Sequence, residues 1–299
     1  MGGDLLKVLA QTREYYAFRL RRLPYKVISR FIRRRSWVYE RIEQHFEGKC
    51  GLEIGGPSQI FERDQLIPIY PKAQIIDECN FSKQTIWNSD EKRETAWKAG
   101  KRFVSEACDL SGIADGAYDF VLASHVLEHV ANPLRALGEW SRVLKDGGTL
   151  LAVVPHKEGT FDHRRPFTPF AHIVADFEAG TGEDDTTHLE EILSYHDLLL
   201  DRGAGSLTKF RERCARNAEV RALHHHVFSP KTLVSMLDFG SMRVLQLAVE
   251  RPYHIIALAQ KVPSQQKAEA HSHNLNLVAD DSEWVRRDPF KNYLSKSSY

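Results

Sequence analysis

Short apolar segments alternate with helical patterns in the middle of the chain. After the fourth apolar run, apolar positions recur at helical spacing from about Val126 or Pro133 to Leu144. The turn residues Asp146–Gly148 then precede a fifth run. Strands that alternate with helices predict a parallel sheet covered by helices on both faces. The five predicted strands are Cys50–Ile54, Ala73–Asp77, Arg102–Ala107, Tyr118–Ala123 and Thr149–Val154.

The alternation stops after the fifth strand and returns at Ser229. A short helix is predicted at Pro230–Phe239, followed by strands at Arg243–Val249 and Tyr253–Lys261. Only a tight connection separates these two strands, so they are predicted to be antiparallel. The expected fold is therefore α/β, with a seven-stranded, mostly parallel, Rossmann-like sheet and an antiparallel last strand.

This pattern divides the chain into five predicted segments. The segment after the fifth strand is polar and His-rich, which predicts an insertion of helices and loops over a substrate. The last segment is polar, which predicts a peripheral or partly disordered tail. The segments are a basic helical extension (1–48), a cofactor-binding half (49–154), the substrate lid (155–228), the remaining helix and strand pair (229–262) and the tail (263–299).

Charge is unevenly distributed along the chain. The formal net charge is +1, but residues 1–49 hold 12 Lys/Arg against 5 Asp/Glu. The densest cluster is Arg30 with Arg33–Arg35. A solvated helix face accounts for it, and weak contact with an anionic membrane surface, nucleic acid or a phosphorylated substrate is the alternative. A nucleic-acid partner is not favoured, because no aromatic platform for single strands adjoins the arginines.

Composition narrows the class of protein further. No apolar run approaches the roughly 20 residues of a membrane helix. The first ten residues lack a basic segment followed by an apolar one, so no signal peptide is predicted. The four cysteines are widely spaced and form no CxxC pair, which argues against a disulfide framework or a thiolate zinc site. A cytoplasmic location is expected.

The first strand is followed by a glycine turn of the kind that opens a nucleotide site. Glu53 ends the apolar run, and Gly55-Gly56-Pro57-Ser58 follow it. Glycines let the backbone approach a ligand where a Cβ atom would clash. Asp77 comes 24 positions after Glu53, a separation at which an acid can accept both ribose hydroxyls. No Gly-Lys-Ser/Thr follows the turn, so it is not a P-loop.

Four further segments, between residues 104 and 148, carry motifs that belong with the glycine turn. Together with the glycine turn, they strongly resemble the class I S-adenosylmethionine-dependent methyltransferases, in particular a subgroup with an HVLEH-like segment after the fourth strand. The resemblance covers about residues 50–155 and, more weakly, 229–261. It implies S-adenosylmethionine as the cofactor. The segments that carry it are Val104–Leu110, Asp115–Val130, Pro133 and Leu144–Gly148.

The same resemblance implies roles for individual residues. Glu53 and the Gly55–Ser58 turn would hold the methionine part, and Asp77 the ribose. Glu106 would face the adenine amino group beside the backbone of Ala107. Ser124 and His125 would lie beside the sulfonium. One departure is that Pro57 and Gln59 stand where the family usually has its second and third loop glycines.

The segment His125–His129 admits several interpretations. If it is helical, His125, Glu128 and His129 share one face. They would then shape the cofactor pocket, act as a base or orient the substrate. A third interpretation is a metal site, with His156 as the distant ligand, as in small-RNA 2′-O-methyltransferases, which carry a related segment. The letters also match the inverted zinc-peptidase signature, but the preceding strand and turn argue against a peptidase.

The insertion supplies the remaining candidates. His156 follows the fifth strand at the mouth of the expected site, where it is a further candidate base. Arg164 and Arg165 are predicted to clamp a carboxylate or phosphate, or to pair with the acidic run Glu183–Asp185. His163, which precedes these arginines, is a further predicted substrate ligand. His225, from the histidine triplet before the next helix, completes the predicted substrate site.

The expected function is methyl transfer to an oxygen or nitrogen of a small-molecule or glycan-type substrate. His125, His129 or His156 would be the base, with Glu128 as a further catalytic residue. Two alternatives remain open: a catalytically inactive binding module, prompted by the altered glycine loop, and a metal-assisted nucleic-acid 2′-O-methyltransferase. The identity of a metal, if one takes part, is not predicted.

Overall fold

The computed structural model describes residues 35–85, 99–201, 203–279 and 281–291. Within these ranges, seven strands form one sheet in the order β3-β2-β1-β4-β5-β7-β6. The strands are β1 (Cys50–Ile54), β2 (Ile75–Asn80), β3 (Ala99–Val104), β4 (Tyr118–Ser124), β5 (Leu144–Pro155), β6 (Met242–Glu250) and β7 (His254–Lys261).

Strand directions confirm the predicted α/β fold. β1 is parallel to β2 and β4, and β5 is parallel to β4. β7 is antiparallel to both of its neighbours, as the tight connection after β6 predicts. The strand order reverses between β1 and β4, which is where an open α/β sheet holds its ligand.

Three predicted strands are displaced in the structure, and the fifth begins at Leu144 rather than Thr149, so it includes the predicted turn at Asp146–Gly148. The second was expected to end at Asp77, but β2 continues to Asn80. The third was expected at Arg102–Ala107, but β3 begins at Ala99. The second strand was predicted to end where its apolar residues give way to charged ones. In the structure the Glu78 carboxylate lies 3.2 Å from Arg102 Nε on the neighbouring strand. A charge pair therefore lies inside β2, beyond the predicted end of the strand.

Helices cover the sheet and build the region between β5 and α7. α2 begins with Asn132, whose side chain accepts from the Arg135 N–H, and Pro133 takes its first position. α7 begins in the same way at Ser229 and Pro230. The helices are α1 (Tyr39–Ile42), α2 (Pro133–Val143), α3 (Phe170–Ala179), α4 (Leu189–Tyr195), α5 (Leu207–Ala215), α6 (Asn217–Val220), α7 (Pro230–Phe239), α8 (Lys267–Leu277) and α9 (Glu283–Arg287). Short 3₁₀ turns occupy Glu43–His45, Gln59–Phe61, Leu127–His129, Lys157–Gly159 and Ser264–Gln266.

Each face of the sheet carries its own hydrophobic core. On one face, Trp140 of α2 is fully buried and donates its indole N–H to the Ala107 carbonyl at 3.0 Å. On the other face, Phe46 and Phe61 pack with Phe120 of β4, and the Phe46 and Phe120 rings meet edge to face. Burial of such aromatic rings is worth several kcal/mol each by truncation. The two cores hold the strand ends in fixed positions.

The C-terminal segment is not the peripheral polar tail that its composition predicts. Helices α8 and α9 pack against β6. Trp284 and Phe290 are buried in the core. Asn274 is also buried, and its amide bonds the Met242 carbonyl and the Val244 N–H. A few buried apolar side chains, such as Trp284 and Phe290, are enough to dock a polar segment. The average composition of the segment does not reveal them.

The predictions for the basic N-terminal cluster lie almost entirely outside the described residues. Arg35 is described, and its guanidinium lies over the Tyr39 ring at 5.1 Å from the centroid. Among the described residues, no helix combines the length and the apolar character needed to cross a bilayer.

Candidate functional site

A cavity of about 640 Å³ opens at the carboxyl ends of β1, β2 and β4, where the strand order reverses. Loops after these strands form most of its wall. The insertion contributes Glu183 and Arg221, the turn between β6 and β7 contributes Pro252 and Tyr253, and β7 contributes its first residue, His254. We call it the central cavity.

The glycine turn forms one wall of the central cavity. Gly55, Pro57 and Ser58 line it, whereas Gly56 does not. Gly55 has φ +74°, and a Cβ atom there would lie 2.5 Å from a Val126 methyl group. The backbone at Gly55 therefore approaches the cavity in a way that only glycine allows.

Glu53 lies beneath this turn rather than in the cavity. Its carboxylate is fully buried and accepts from the Ser58 N–H at 3.0 Å and the Tyr70 hydroxyl at 2.8 Å. Burial raises the pKa of Glu53 to about 7. Gly56 packs directly on it, since a Cβ atom at Gly56 would lie 2.3 Å from Glu53 Cδ. Glu53 and Gly56, both expected to touch the cofactor, thus shape the loop, with Tyr70 as a partner that no sequence motif indicated.

Asp77 is not at the site, and this corrects the expected ribose ligand. It lies in the middle of β2, where its carboxylate accepts from the Lys101 N–H at 2.7 Å and the Tyr118 hydroxyl at 2.6 Å. β2 ends three residues later at Asn80, which lines the central cavity. The Asn80 amide also donates to the Gly56 carbonyl at 2.9 Å, so it joins the ends of β1 and β2.

The predicted adenine end of the cavity carries an ion pair. Glu106 and Ala107 both line the cavity. Arg221 Nη2 lies 2.5 Å from Glu106 Oε1, and the Arg221 guanidinium covers the Phe81 ring. Glu183 receives the Ala131 N–H at 3.2 Å. Arg221 was not predicted, because nothing in the sequence indicates that residue 221 returns to the end of β3.

At the end of β4, polar groups form a chain that reaches the cavity. Ser124 and His125 line the cavity, and His125 has φ +57°. His125 Nδ1 lies 3.3 Å from Glu128 Oε1, and its Nε2 lies 3.0 Å from His254 Nδ1. Burial works to raise the pKa of Glu128, but the hydrogen bond from His125 and nearby histidines hold it below its ordinary value. His254 also lines the cavity and was missed, since it begins a strand far along the chain.

Glu128, His129 and His224 converge beside this chain. Their ligand atoms lie within 4.8 Å of one another. His129 donates from Nδ1 to the Leu223 carbonyl at 2.9 Å, and burial together with His224 lowers the pKa of His129 to about 4. The expected helical face is wrong, because Leu127–His129 is a single 3₁₀ turn. The predicted residues His125, Glu128 and His129 nevertheless meet, because Glu128 contacts His125 at 3.3 Å and its ligand atom lies within 4.8 Å of that of His129.

His156 does not belong to this site, which corrects its prediction as a base and as the distant metal ligand. It is fully buried and stacks on Phe290, with ring centroids 4.6 Å apart. Burial lowers the pKa of His156 to about 3. The histidine that approaches Glu128 and His129 is His224 instead, which lies 2.5 Å from Asp162.

The four predicted substrate ligands are structural parts of the insertion. None of them lines the central cavity. His163 and Arg164 both contact the Asp197 carboxylate, at 3.0 and 3.1 Å. Arg165 is fully buried; it pairs with Glu191 rather than with the acidic run Glu183–Asp185.

The remaining predicted ligand, His225, is held by backbone and side-chain bonds. Arg165 also donates to the His224 and His225 carbonyls, at 2.8 and 3.1 Å. The His225 backbone N–H donates to the Glu128 carbonyl at 2.7 Å, and its Nε2 accepts from Asn217 at 3.0 Å. These bonds fix the extended segment that carries His224 and so position one side of the site.

Comparison with known proteins gives one family match, which covers part of the chain. Residues 76–152, from β2 to β5, match a family model described as a methyltransferase domain. No curated protein sequence matches the chain.

Solved structures give weaker likenesses. A SAM-dependent methyltransferase from Aquifex aeolicus aligns with TM-score 0.42 and 13% identity, over 75% of this chain and 88% of that one. One from Methanosarcina mazei gives 0.41 and 18%, over 75% and 98%. A putative S-adenosylmethionine-dependent methyltransferase from Listeria monocytogenes gives TM-score 0.44 and 15% identity, over 75% of this chain and 96% of that one. Since these likenesses are remote, the assignment of a methyltransferase domain depends on the family match and on the site.

Proposed function

We propose that this S-adenosylmethionine-dependent methyltransferase transfers the methyl group of its cofactor to an oxygen or nitrogen atom of a small-molecule or glycan-type substrate. The observation that carries the proposal is the chain Glu128–His125–His254 at the end of β4. An oxygen or nitrogen nucleophile loses a proton as it takes the methyl group, and a histidine can accept that proton.

The central cavity fits the cofactor in size and in polar groups. Its volume of about 640 Å³ lies within the usual range of small-molecule sites, roughly 300–1,000 Å³. Gly55 and Ser58 would hold the methionine part, Asn80 the ribose and Glu106 the adenine amino group. When bound, the cofactor supplies an activated methyl group, so the protein has to align the acceptor and remove a proton.

The histidine pair defines where the proton goes. The Glu128 carboxylate can only accept a hydrogen bond, so the network assigns the N–H to His125 Nδ1. His125 Nε2 then accepts a hydrogen bond from His254 Nδ1. A proton taken from the substrate that accepts the methyl group would enter at this imidazole pair. The buried Glu128 carboxylate would stabilise the imidazolium that forms.

The insertion supports a small acceptor over an extended one. Glu183 and Arg221 reach the cavity wall from residues 155–228, and Arg221 pairs there with Glu106. A site closed from this side would surround a small molecule or a sugar. The acceptor would lie between the end of β4 and the turn that carries Tyr253 and His254.

The test is to identify the methylated atom. The full-length protein would be incubated with S-adenosylmethionine carrying an isotopically labelled methyl group and a panel of hydroxyl, amine, carbon-acid and sugar acceptors. We expect release of S-adenosylhomocysteine and label on oxygen or nitrogen by mass spectrometry. Label confined to carbon or sulfur atoms, or found only on RNA, would contradict the proposal.

A second candidate is metal-assisted transfer to a hydroxyl pair, for which the convergence of Glu128, His129 and His224 is the specific observation. Burial disfavours the charged form of His224, but the Asp162 carboxylate raises its pKa overall, so a metal there would compete with a proton. If this candidate holds, a chelator abolishes methyl transfer and a divalent ion restores it. If the histidine pair alone removes the proton, a chelator leaves the rate unchanged.

A further inference from the structure

A second convergent cluster lies within the insertion, away from the central cavity. It consists of two residues one turn apart on α3, one residue just before α4, and one residue in the segment that leads into α7. None of them lines the central cavity. The four side chains are His172, Asp176, His188 and His226.

The ligand atoms of these side chains meet at one point. His172 Nε2 lies 3.1 Å from His188 Nε2 and 3.3 Å from Asp176 Oδ2. His226 Nε2 lies 3.0 Å from the same Asp176 oxygen. All four atoms lie within 4.8 Å of one another. The cluster is thus three imidazole nitrogens and one carboxylate oxygen around a common centre.

These separations match the edges of a zinc coordination tetrahedron. With zinc–ligand bonds of about 2.0–2.1 Å, the ligand atoms of a regular tetrahedron lie about 3.3 Å apart. The three measured separations are 3.1, 3.3 and 3.0 Å. Hydrogen bonds account for the His172–His188 and His226–Asp176 separations taken one at a time, but they do not require three imidazoles and a carboxylate to share one centre.

The donor set selects among metals. Imidazole nitrogens with one carboxylate suit zinc better than magnesium or calcium, which take oxygen ligands. Four protein ligands close the coordination sphere, which is typical of a structural rather than a catalytic zinc. His226 is buried, and the other three residues are half-buried, so the centre is partly withdrawn from water.

We propose that these four side chains bind one zinc ion that fastens the insertion together. The ion would join positions 172 and 226, which lie 54 residues apart in sequence. Closing a segment of this length in the unfolded chain is costly in entropy, so a metal crosslink stabilises the folded form. Because His226 adjoins His225, whose backbone N–H donates to the Glu128 carbonyl, the same ion would fix the segment that faces Glu128.

The test uses the full chain and zinc or cobalt as probes. The protein would be stripped with a chelator, loaded with Zn²⁺ and assayed for bound metal by mass spectrometry and for melting temperature. Co²⁺ would report coordination through the intense visible absorption of tetrahedral cobalt. We expect one tetrahedral metal at this cluster and a metal-dependent rise in melting temperature.

Matched variants separate this cluster from the one at Glu128. Asp176→Asn keeps the side-chain size, and His188→Ala removes a half-buried ligand. Each should lose the tetrahedral cobalt spectrum and the zinc-dependent rise in melting temperature. Glu128→Gln and His271→Ala, an exposed histidine on α8, should retain both.

Three results would overturn the proposal. The first is a wild-type protein that binds no zinc after loading. The second is an unchanged zinc content and cobalt spectrum in both Asp176→Asn and His188→Ala. Circular dichroism of the metal-free variants shows whether they fold, and metal-free wild type provides the reference for a variant that melts early. Loss of metal by Glu128→Gln but not by Asp176→Asn would likewise place the ion at the other cluster and reject this one.

Discussion

His125 Nε2 lies 3.0 Å from His254 Nδ1, which joins the end of β4 to the start of β7 at the wall of the central cavity. His125 adopts a positive φ of 57°, unusual for a residue with a side chain. Its N–H donates to the Val153 carbonyl of β5 at 2.8 Å. The left-handed backbone thus directs the imidazole at its partner rather than along the sheet.

Replacing either imidazole should slow methyl transfer without removing the cofactor. A general base contributes about 10²–10⁴-fold to a rate, so His125→Ala and His254→Ala should each lower kcat by about that range. Titration with S-adenosylhomocysteine should show retained binding. His271→Ala, on the exposed surface of α8, should retain the rate. Turnover unchanged in both cavity variants would remove this pair from the mechanism.

Gly55→Ala should weaken cofactor binding. Its Cβ atom would meet a Val126 methyl group at 2.5 Å in a backbone of φ +74° at the cavity wall. Gly48→Ala is a matched control, because Gly48 has φ +68° and nothing within 4 Å of the added atom. Both variants incur left-handed strain of about 1–2 kcal/mol, but only Gly55→Ala should lose affinity for S-adenosylhomocysteine. Equal affinities in the two variants would mean that the turn does not contact the cofactor.

The ribose position can be tested by comparing Asn80 with Asp77. Asn80→Ala should weaken binding of S-adenosylhomocysteine by about tenfold, since one hydrogen bond is worth about 1–1.5 kcal/mol. Asp77→Asn should leave binding unchanged, because its carboxylate bonds Lys101 and Tyr118 away from the cavity. The reverse ranking of the two variants by calorimetry would restore Asp77 as the ribose ligand.

Glu53 should make the stability of the protein depend on pH. Its pKa is raised from 4.5 to about 7 by burial, so between these values the folded protein keeps a proton that the unfolded chain has released. The free energy of unfolding should therefore fall as pH rises through this window, by about 3 kcal/mol at 1.36 kcal/mol per unit. The stabilisation is fully present below pH 4.5 and lost by pH 7.

Glu53→Gln isolates this contribution. The amide oxygen can accept from the Ser58 N–H, and the amide nitrogen can donate to the Tyr70 hydroxyl, so both contacts survive. Urea unfolding at pH 5 and at pH 7.5 should show a smaller difference in the variant than in the wild type. If the two proteins share one pH dependence, the carboxyl is not the titrating group.

The sheet followed from the sequence because its signal is local. Apolar runs and the turn at Glu250–Pro252 fixed the type and order of the strands. Strand ends were less accurate, and the ribose assignment failed for that reason. Asp77 ends the apolar run, but pairing with β1 and β3 carries β2 on to Asn80.

The site was only partly predictable, because several of its residues meet across long sequence separations. His125 and Glu128 are three residues apart and were found together. Arg221 reaches Glu106 across 115 positions, and His254 reaches His125 across 129. His156 was placed at the site by its position after β5, yet it packs on Phe290 of a segment that composition had assigned to the periphery.

Calorimetric titration of the full-length protein with S-adenosylhomocysteine tests the central claim most directly. A cavity built from Gly55, Asn80 and Glu106 to hold the cofactor predicts saturable one-to-one binding, weakened in Gly55→Ala and retained in Gly48→Ala. No measurable heat up to millimolar ligand, for S-adenosylhomocysteine and S-adenosylmethionine alike, would contradict the account and favour a fold that has lost its cofactor.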